Sequence, residues 1–130
     1  MTDNVTSAGV PTPVWGDRET LPTITPIAGV DMSVLVGSAM MLGVVTLAPG
    51  AIVPLHHHPN EQVGYVVEGV ITMTIAGETR DLGVGSTYFI PGDTPHEGSS
   101  PAGCIVLDVF SPPRTDYAEM ARTGAVGSFD

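Results

Sequence analysis

Three of the four histidines stand together in "APGAIVPLHHHPNEQVGYVVEG", Ala48 to Gly69, and Gln62 follows shortly after them. Side chains alternate faces along a strand, so His56 and His58 point one way and His57 the other, which leaves His57 non-ligating. Two imidazoles two residues apart converge on one point inside a barrel. With a turn at "HPN" and a returning strand from Glu61, residues Gln62, Gly64, Val66 and Glu68 share a face, and the Gln62 amide reaches that point. The fourth histidine, His96, lies in "FIPGDTPHEG", where Pro91 and Pro95 fix the approach of its strand. Three imidazoles and one amide oxygen suit one borderline divalent transition metal per chain, with Ni, Fe, Mn, Zn and Co all compatible. The plain alternative is a polar surface run or a tag remnant. The internal position, the flanking strands and the distant fourth histidine weigh against it.

A second group of residues lies in "GCIVLDVFSPPRTDY". Alternation places Cys104, Val106, Asp108 and Phe110 on one face, and Ile105, Leu107 and Val109 on the other. The second set is wholly apolar and suits a core-facing or interface side. Asp108 is then a single carboxylate on the ligand-facing side, which burial disfavours unless it has a partner or a task. A structural aspartate bonded to backbone or to Arg114 is the simpler reading. Cys104 reads as a small buried hydrophobe, because no basic group stands near it in sequence.

These residues need strands to position them, and composition supplies strands. The chain of 130 residues is long enough for one domain with a real core, and its 16 Gly and 12 Pro suit short strands joined by tight turns. Apolar runs recur at close spacing in "TITPIAG", "MSVLVG", "AMMLGVVTLAPG", "QVGYVVEG", "VITMTIAGE", "TRDLGVG", "STYFIPGD" and "GCIVLDVFSPP". An all-β sandwich or barrel follows. Only "TDYAEMAR", Thr115 to Arg122, has helical character, with Thr115 or Asp116 as N-cap. Residues 1–22 read as an N-terminal arm at a dimer interface, its Trp15 packing on a partner, and 23–130 as the single domain. Met40, Met41 and Met73 are expected to fill core gaps, Tyr65 to lie on a sheet surface or interface, and Glu97 to face solvent from a Gly/Ser turn.

Charge narrows the partners. The formal net charge is −10, with four arginines and no lysine, so nucleic-acid binding is not expected and a lysine Schiff base is excluded. A single cysteine excludes an intrachain disulfide and a multi-thiolate metal site. No targeting segment or membrane span is recognisable, so a cytoplasmic protein is the expectation.

The histidine spacing resembles the cupin superfamily. Gly50, His56, His58 and Gly69 match its first motif, with Gln62 where glutamate usually stands, and Gly85, Pro91 and His96 match its second. Asp93 and Ser100 depart from that second motif at a glycine and an asparagine position, both read as turn positions. The resemblance implies a double-stranded β-helix, the cupin jelly roll, with an N-terminal arm and a short C-terminal helix. With glutamine for glutamate, the protein would leave a dication's charge uncompensated, so an anionic ligand is welcome.

The D-x-F-x-x-x-R run resembles the small cupins that ketonise unsaturated uronates in pectin and alginate breakdown. That likeness implies site roles for Asp108, Phe110 and Arg114 beside His56, His58, Gln62 and His96. The expectation is a metal-dependent enzyme tautomerising or isomerising a small oxygen-rich carboxylate: Arg114 pairs with the anion, Asp108 moves the proton, and Phe110 shapes the wall. A non-haem iron dioxygenase is the first alternative and a ligand-binding sensor the second. A homodimer is expected, because small jelly rolls leave strand edges to cover.

Overall fold

A computed structural model describes residues 12–124. Ten strands precede one helix: β1 (Thr23–Ile27), β2 (Val30–Val36), β3 (Met41–Leu47), β4 (Ala51–His56), β5 (Glu61–Gly69), β6 (Ile71–Ile75), β7 (Glu78–Leu82), β8 (Thr87–Ile90), β9 (His96–Ser100), β10 (Cys104–Ser111) and α1 (Thr115–Thr123). They form a six-stranded sheet, ordered β1-β2-β3-β10-β5-β8, and a four-stranded sheet, ordered β4-β9-β6-β7. Every pairing between strands is antiparallel. This is the expected all-β jelly roll with a short C-terminal helix.

Period-two alternation decides what goes inside. Along β10 the residues Cys104, Val106, Asp108 and Phe110 are buried, while Ile105, Leu107 and Val109 are half-buried on the other side. The apolar set therefore takes the outer face. Val34, Met41, Val66, Ile90, Val106 and Phe110 are each 2% exposed or less and fill the space between the sheets. Each such side chain contributes about 1.5–3 kcal/mol by leaving water.

Several local expectations change. In β5, Gln62, Gly64 and Val66 do share the buried face, but Glu68 is exposed. A bulge between the Val66↔Val106 and Glu68↔Ile105 pairs inserts Val67 and reverses the alternation. The chain then turns at Gly69, whose φ is +76° and where a Cβ would lie 2.4 Å from the Gly103 carbonyl oxygen. Residues 96–100 form strand β9 and not a turn, because β4 and β6 pair with its two edges. Glu97 is exposed from that strand. Met41 and Met73 are buried as expected, but Met40 is 56% exposed, because it precedes β3 in the turn from β2.

The N-cap of α1 is Arg114, one residue before the expected position, and no side chain caps it. The Asp116 carboxylate instead accepts from the Tyr117 N–H within the first turn. Of the arm, residues 1–11 lie outside the described residues. Trp15 is 93% exposed, so it does not pack within this chain. No helix among the described residues is long and apolar enough to cross a membrane.

Candidate metal centre

Strand β4 ends on His56, whose Cα partner across the sheet is His96 at the start of β9. His58 enters from the turn after β4, so the strand carries His56 alone and the turn carries the other two histidines of the run. That turn is pinned from two sides. The Asp93 N–H donates to the His58 carbonyl at 2.7 Å, and the Asn60 amide donates to the Pro112 carbonyl at 2.7 Å. Asp93, at the motif's glycine position, has φ +59°, a left-handed conformation that aspartate tolerates better than most residues.

The three rings meet at one end of the space between the sheets. Ring centroids are 4.2 Å apart for His56 and His96, 5.0 Å for His58 and His96, and 5.5 Å for His56 and His58. One ring nitrogen from each lies within 4.8 Å of the others. Every Nδ1 is held by a backbone carbonyl: His56 by Pro54 at 2.8 Å, His58 by Asn60 at 3.0 Å, His96 by Thr94 at 2.8 Å. A carbonyl only accepts, so each Nδ1 carries the proton and each Nε2 keeps its lone pair. The His58 Nε2 is buried with no hydrogen-bond partner among the described residues. Burial is the main reason that His56 and His58 titrate at about 4 and that His96 is also lowered, with the Arg114 charge acting in the same direction. The trio is therefore neutral near pH 7. Three uncharged, tautomer-fixed imidazoles with one orphaned lone pair fit a transition-metal ion. His57 lies outside the trio, exposed and 3.6 Å from the Asp93 carboxylate.

The six-stranded sheet supplies the opposite wall. Gln62 is buried on β5, and its amide favours the protonated form of His58 and the ionised form of Asp108. Asp108 is 7% exposed, and burial raises its carboxyl above the usual aspartate range. Its partner is Tyr88, whose hydroxyl donates to Asp108 Oδ1 at 2.6 Å. Neither backbone nor Arg114 provides that bond. Phe110 packs in T-shaped contacts with His58 at 5.7 Å and with Tyr117 at 5.9 Å between centroids.

Arg114 is buried and already engaged. Its guanidinium pairs with Asp116 at 2.9 Å and stacks 3.8 Å from the Tyr117 ring centroid. A small cavity of about 60 Å³ runs between the sheets beside Gln62, Tyr88, Asp108 and Phe110. An outer cleft lined by His56, His58, Asn60, Pro112, Arg114 and Asp116 opens from the histidines to solvent. Tyr88, Tyr117, Asn60 and Asp116 were not legible as site residues. For Tyr88 the available signal was Gly64, a glycine inside a strand, which often marks a close approach.

Residues 43–110 match the family described as Cupin domain. The pectin degradation protein KdgF of Dickeya dadantii (strain 3937) is 35% identical over 80 residues, covering 60% of this chain and 73% of that protein. Among solved structures, KdgF from Halomonas sp. superposes with a TM-score of 0.75 at 27% identity, over 82% of this chain and 99% of its own. An RmlC-like cupin from Shewanella frigidimarina NCIMB 400 superposes with a TM-score of 0.76 at 28% identity, over 82% of this chain and 96% of its own.

Proposed function

This chain belongs to the cupin family, and we propose that it is a metal-dependent enzyme that tautomerises or isomerises an enol or keto group of a small, oxygen-rich, uronate-like carboxylate. The observation that carries the reading is the orphaned Nε2 of His58 in a cluster of three neutral imidazoles, two of which line the same cavity as the buried Asp108. Likeness to a protein named for pectin degradation supports the substrate class.

His56, His58 and His96 would hold the metal with the Gln62 amide oxygen as fourth ligand. Bound there, the metal would act as a Lewis acid that polarises a carbonyl or enol oxygen. Asp108 is the acid and base: burial raises its pKa above the usual aspartate range, so its carboxyl can give a proton to a substrate carbon and take one from the enol oxygen. Tyr88 Oη holds Oδ1, which turns the carboxyl in a fixed direction. Arg114 attracts the substrate carboxylate from the outer cleft, with Asp116 and Tyr117 holding its side chain. Phe110 walls the cavity and keeps water from the imidazoles. The active protein is a homodimer that covers the apolar outer face of the six-stranded sheet, with residues 1–22 as its arm.

The test is metal content by mass spectrometry on untagged protein and on His96→Ala, followed by an unsaturated-uronate assay that tracks loss of the conjugated double bond. Near-stoichiometric metal in wild type alone, with turnover that disappears in Asp108→Asn, is expected. Metal without uronate turnover but with oxygen uptake would replace the proposal by a dioxygenase. Absence of metal from both proteins would overturn it.

A further inference from the structure

Three neighbouring strands place Tyr88, Gly64 and Asp108 in one row. Gly64 pairs with Tyr88 of β8 on one side and with Asp108 of β10 on the other. The Tyr88 ring lies directly over Gly64, where an added Cβ would fall 2.0 Å from the ring carbon that bears the hydroxyl. No larger residue fits at position 64 while the ring stays there. The bare strand is thus a gap through which the phenol crosses β5 and donates to Asp108 Oδ1 at 2.6 Å.

On the same carboxylate converges the amide of Gln62, two residues before Gly64 and on the same buried face of β5. In its ionised form, which Gln62 favours, the Asp108 carboxylate only accepts hydrogen bonds, so the amide offers it an N–H. An amide has only two ends. With its nitrogen directed at Asp108, its oxygen is left for the other side, where His58 carries its unpartnered Nε2.

We infer that Tyr88 is a positioning residue: across Gly64 it holds Asp108 so that the Gln62 amide nitrogen is captured and its oxygen faces the three imidazoles. The inference rests on the proposed ligand role of Gln62. Glutamine is symmetric in shape and asymmetric in chemistry, and a flipped amide would present N–H groups to a cation. A glutamate ligand would need no such device, since both of its ends are oxygens. The Tyr88–Asp108 pair therefore belongs with the glutamine.

Cobalt(II) affinity by chelator competition, with the visible spectrum of the cobalt protein as a report on the ligand set, tests the device without using activity. Removing the hydroxyl in Tyr88→Phe should weaken affinity about tenfold, within the range typical of groups that orient metal ligands. Gly64→Ala, which displaces the ring, should do the same. Asp108→Asn should lose about 100-fold. There Tyr88 keeps hold of the Asn oxygen, so the Asn N–H₂ faces Gln62 and forces its oxygen away from the ion. Adding Tyr88→Phe to Asp108→Asn frees the Asn to turn over, and affinity should recover about tenfold relative to Asp108→Asn alone.

Gln62→Ala separates the two levels. Unchanged affinity and spectrum in Gln62→Ala would remove the amide from the ligand set, and the proposed site would fall with it. Weakened affinity in Gln62→Ala, with Tyr88→Phe equal to wild type, would overturn the positioning role alone. Tyr88→Phe is the deciding variant, since it keeps the ring and its packing and loses one hydroxyl.

Discussion

The two faces of the six-stranded sheet both depart from the usual arrangement: the inner one sets a few polar groups among apolar core residues, and the outer one exposes apolar side chains. On the inner, buried face lie Gln62, Tyr88 and Asp108, while the outer face carries Val63, Tyr65, Val67 and Phe89 at 46%, 46%, 43% and 55% exposure. Leu42, Leu107 and Val109 continue that apolar outer surface in one shallow groove. A buried polar group costs roughly 1–3 kcal/mol unless its hydrogen bonds are met, so the inner face survives only as a connected network. An exposed apolar face of this extent marks a surface meant to be covered. The same backbone alternation thus places the proposed site on one side and the proposed dimer surface on the other.

If the inner face is the site, the largest effect of any single change belongs to its imidazoles. His96→Ala should lower metal affinity by more than ~100-fold and leave the far-ultraviolet spectrum of the strands intact. Phe110 tests the packing of that face, since it is 2% exposed and touches both His58 and Tyr117. Phe110→Ala should destabilise the protein by about 3–5 kcal/mol in urea titration. A loss below 1 kcal/mol would mean that the inner face is less tightly packed than its burial implies.

The outer face should respond in the opposite way. Tyr65→Lys combined with Phe89→Lys introduces like charges on adjacent strands of the apolar groove, and sedimentation should report a monomer. Metal affinity should stay within about twofold, because neither side chain points at the imidazoles. An unchanged dimer would move the interface elsewhere, and lost metal would show that the two faces are not independent.

How far the sequence disclosed each face depended on periodicity. The buried face of Asp108 and Phe110 was legible because a period of two assigns a face from spacing alone; His58 lies in the turn beyond β4, so the histidine motifs rather than strand alternation brought His56, His58 and His96 together. The extent of β9 beyond His96 was not legible, since "EGSS" contains no β-branched or aromatic residue. Its pairing with β4 and β6 overrides that weak propensity. Glu68 was misassigned for the complementary reason: a bulge shifts the face without altering composition. Tyr88 escaped notice because its role depends on a partner strand that spacing within β8 does not identify. Arg114 was legible as a cation near the site, but its pairing with Asp116 depends on the first turn of α1.

The smallest expected effect concerns pH, and it distinguishes groups within the inner face. In metal-free protein, burial lowers His56 and His58 from 6.5 to about 4. Between those values the unfolded chain binds more protons than the folded one, so stability falls as pH drops from 6.5 to 4 and levels off below. Asp108 acts with the opposite sign. Its folded pKa is raised above the ordinary aspartate value of 3.8, so its contribution is fully present below 3.8 and is lost as pH rises through the folded value. The two trends oppose each other where their windows overlap, so Asp108 offsets part of the decline in wild type. Asp108→Asn removes the acid-stabilising part and keeps the imidazoles, so its stability should fall more steeply with acidification than that of wild type. Urea titrations of both metal-free proteins from pH 7 to 4 measure the two slopes. Equal slopes would mean that the Asp108 carboxyl titrates alike in the folded and unfolded chain, and its burial would then lack the chemical consequence that the proposed acid–base role requires.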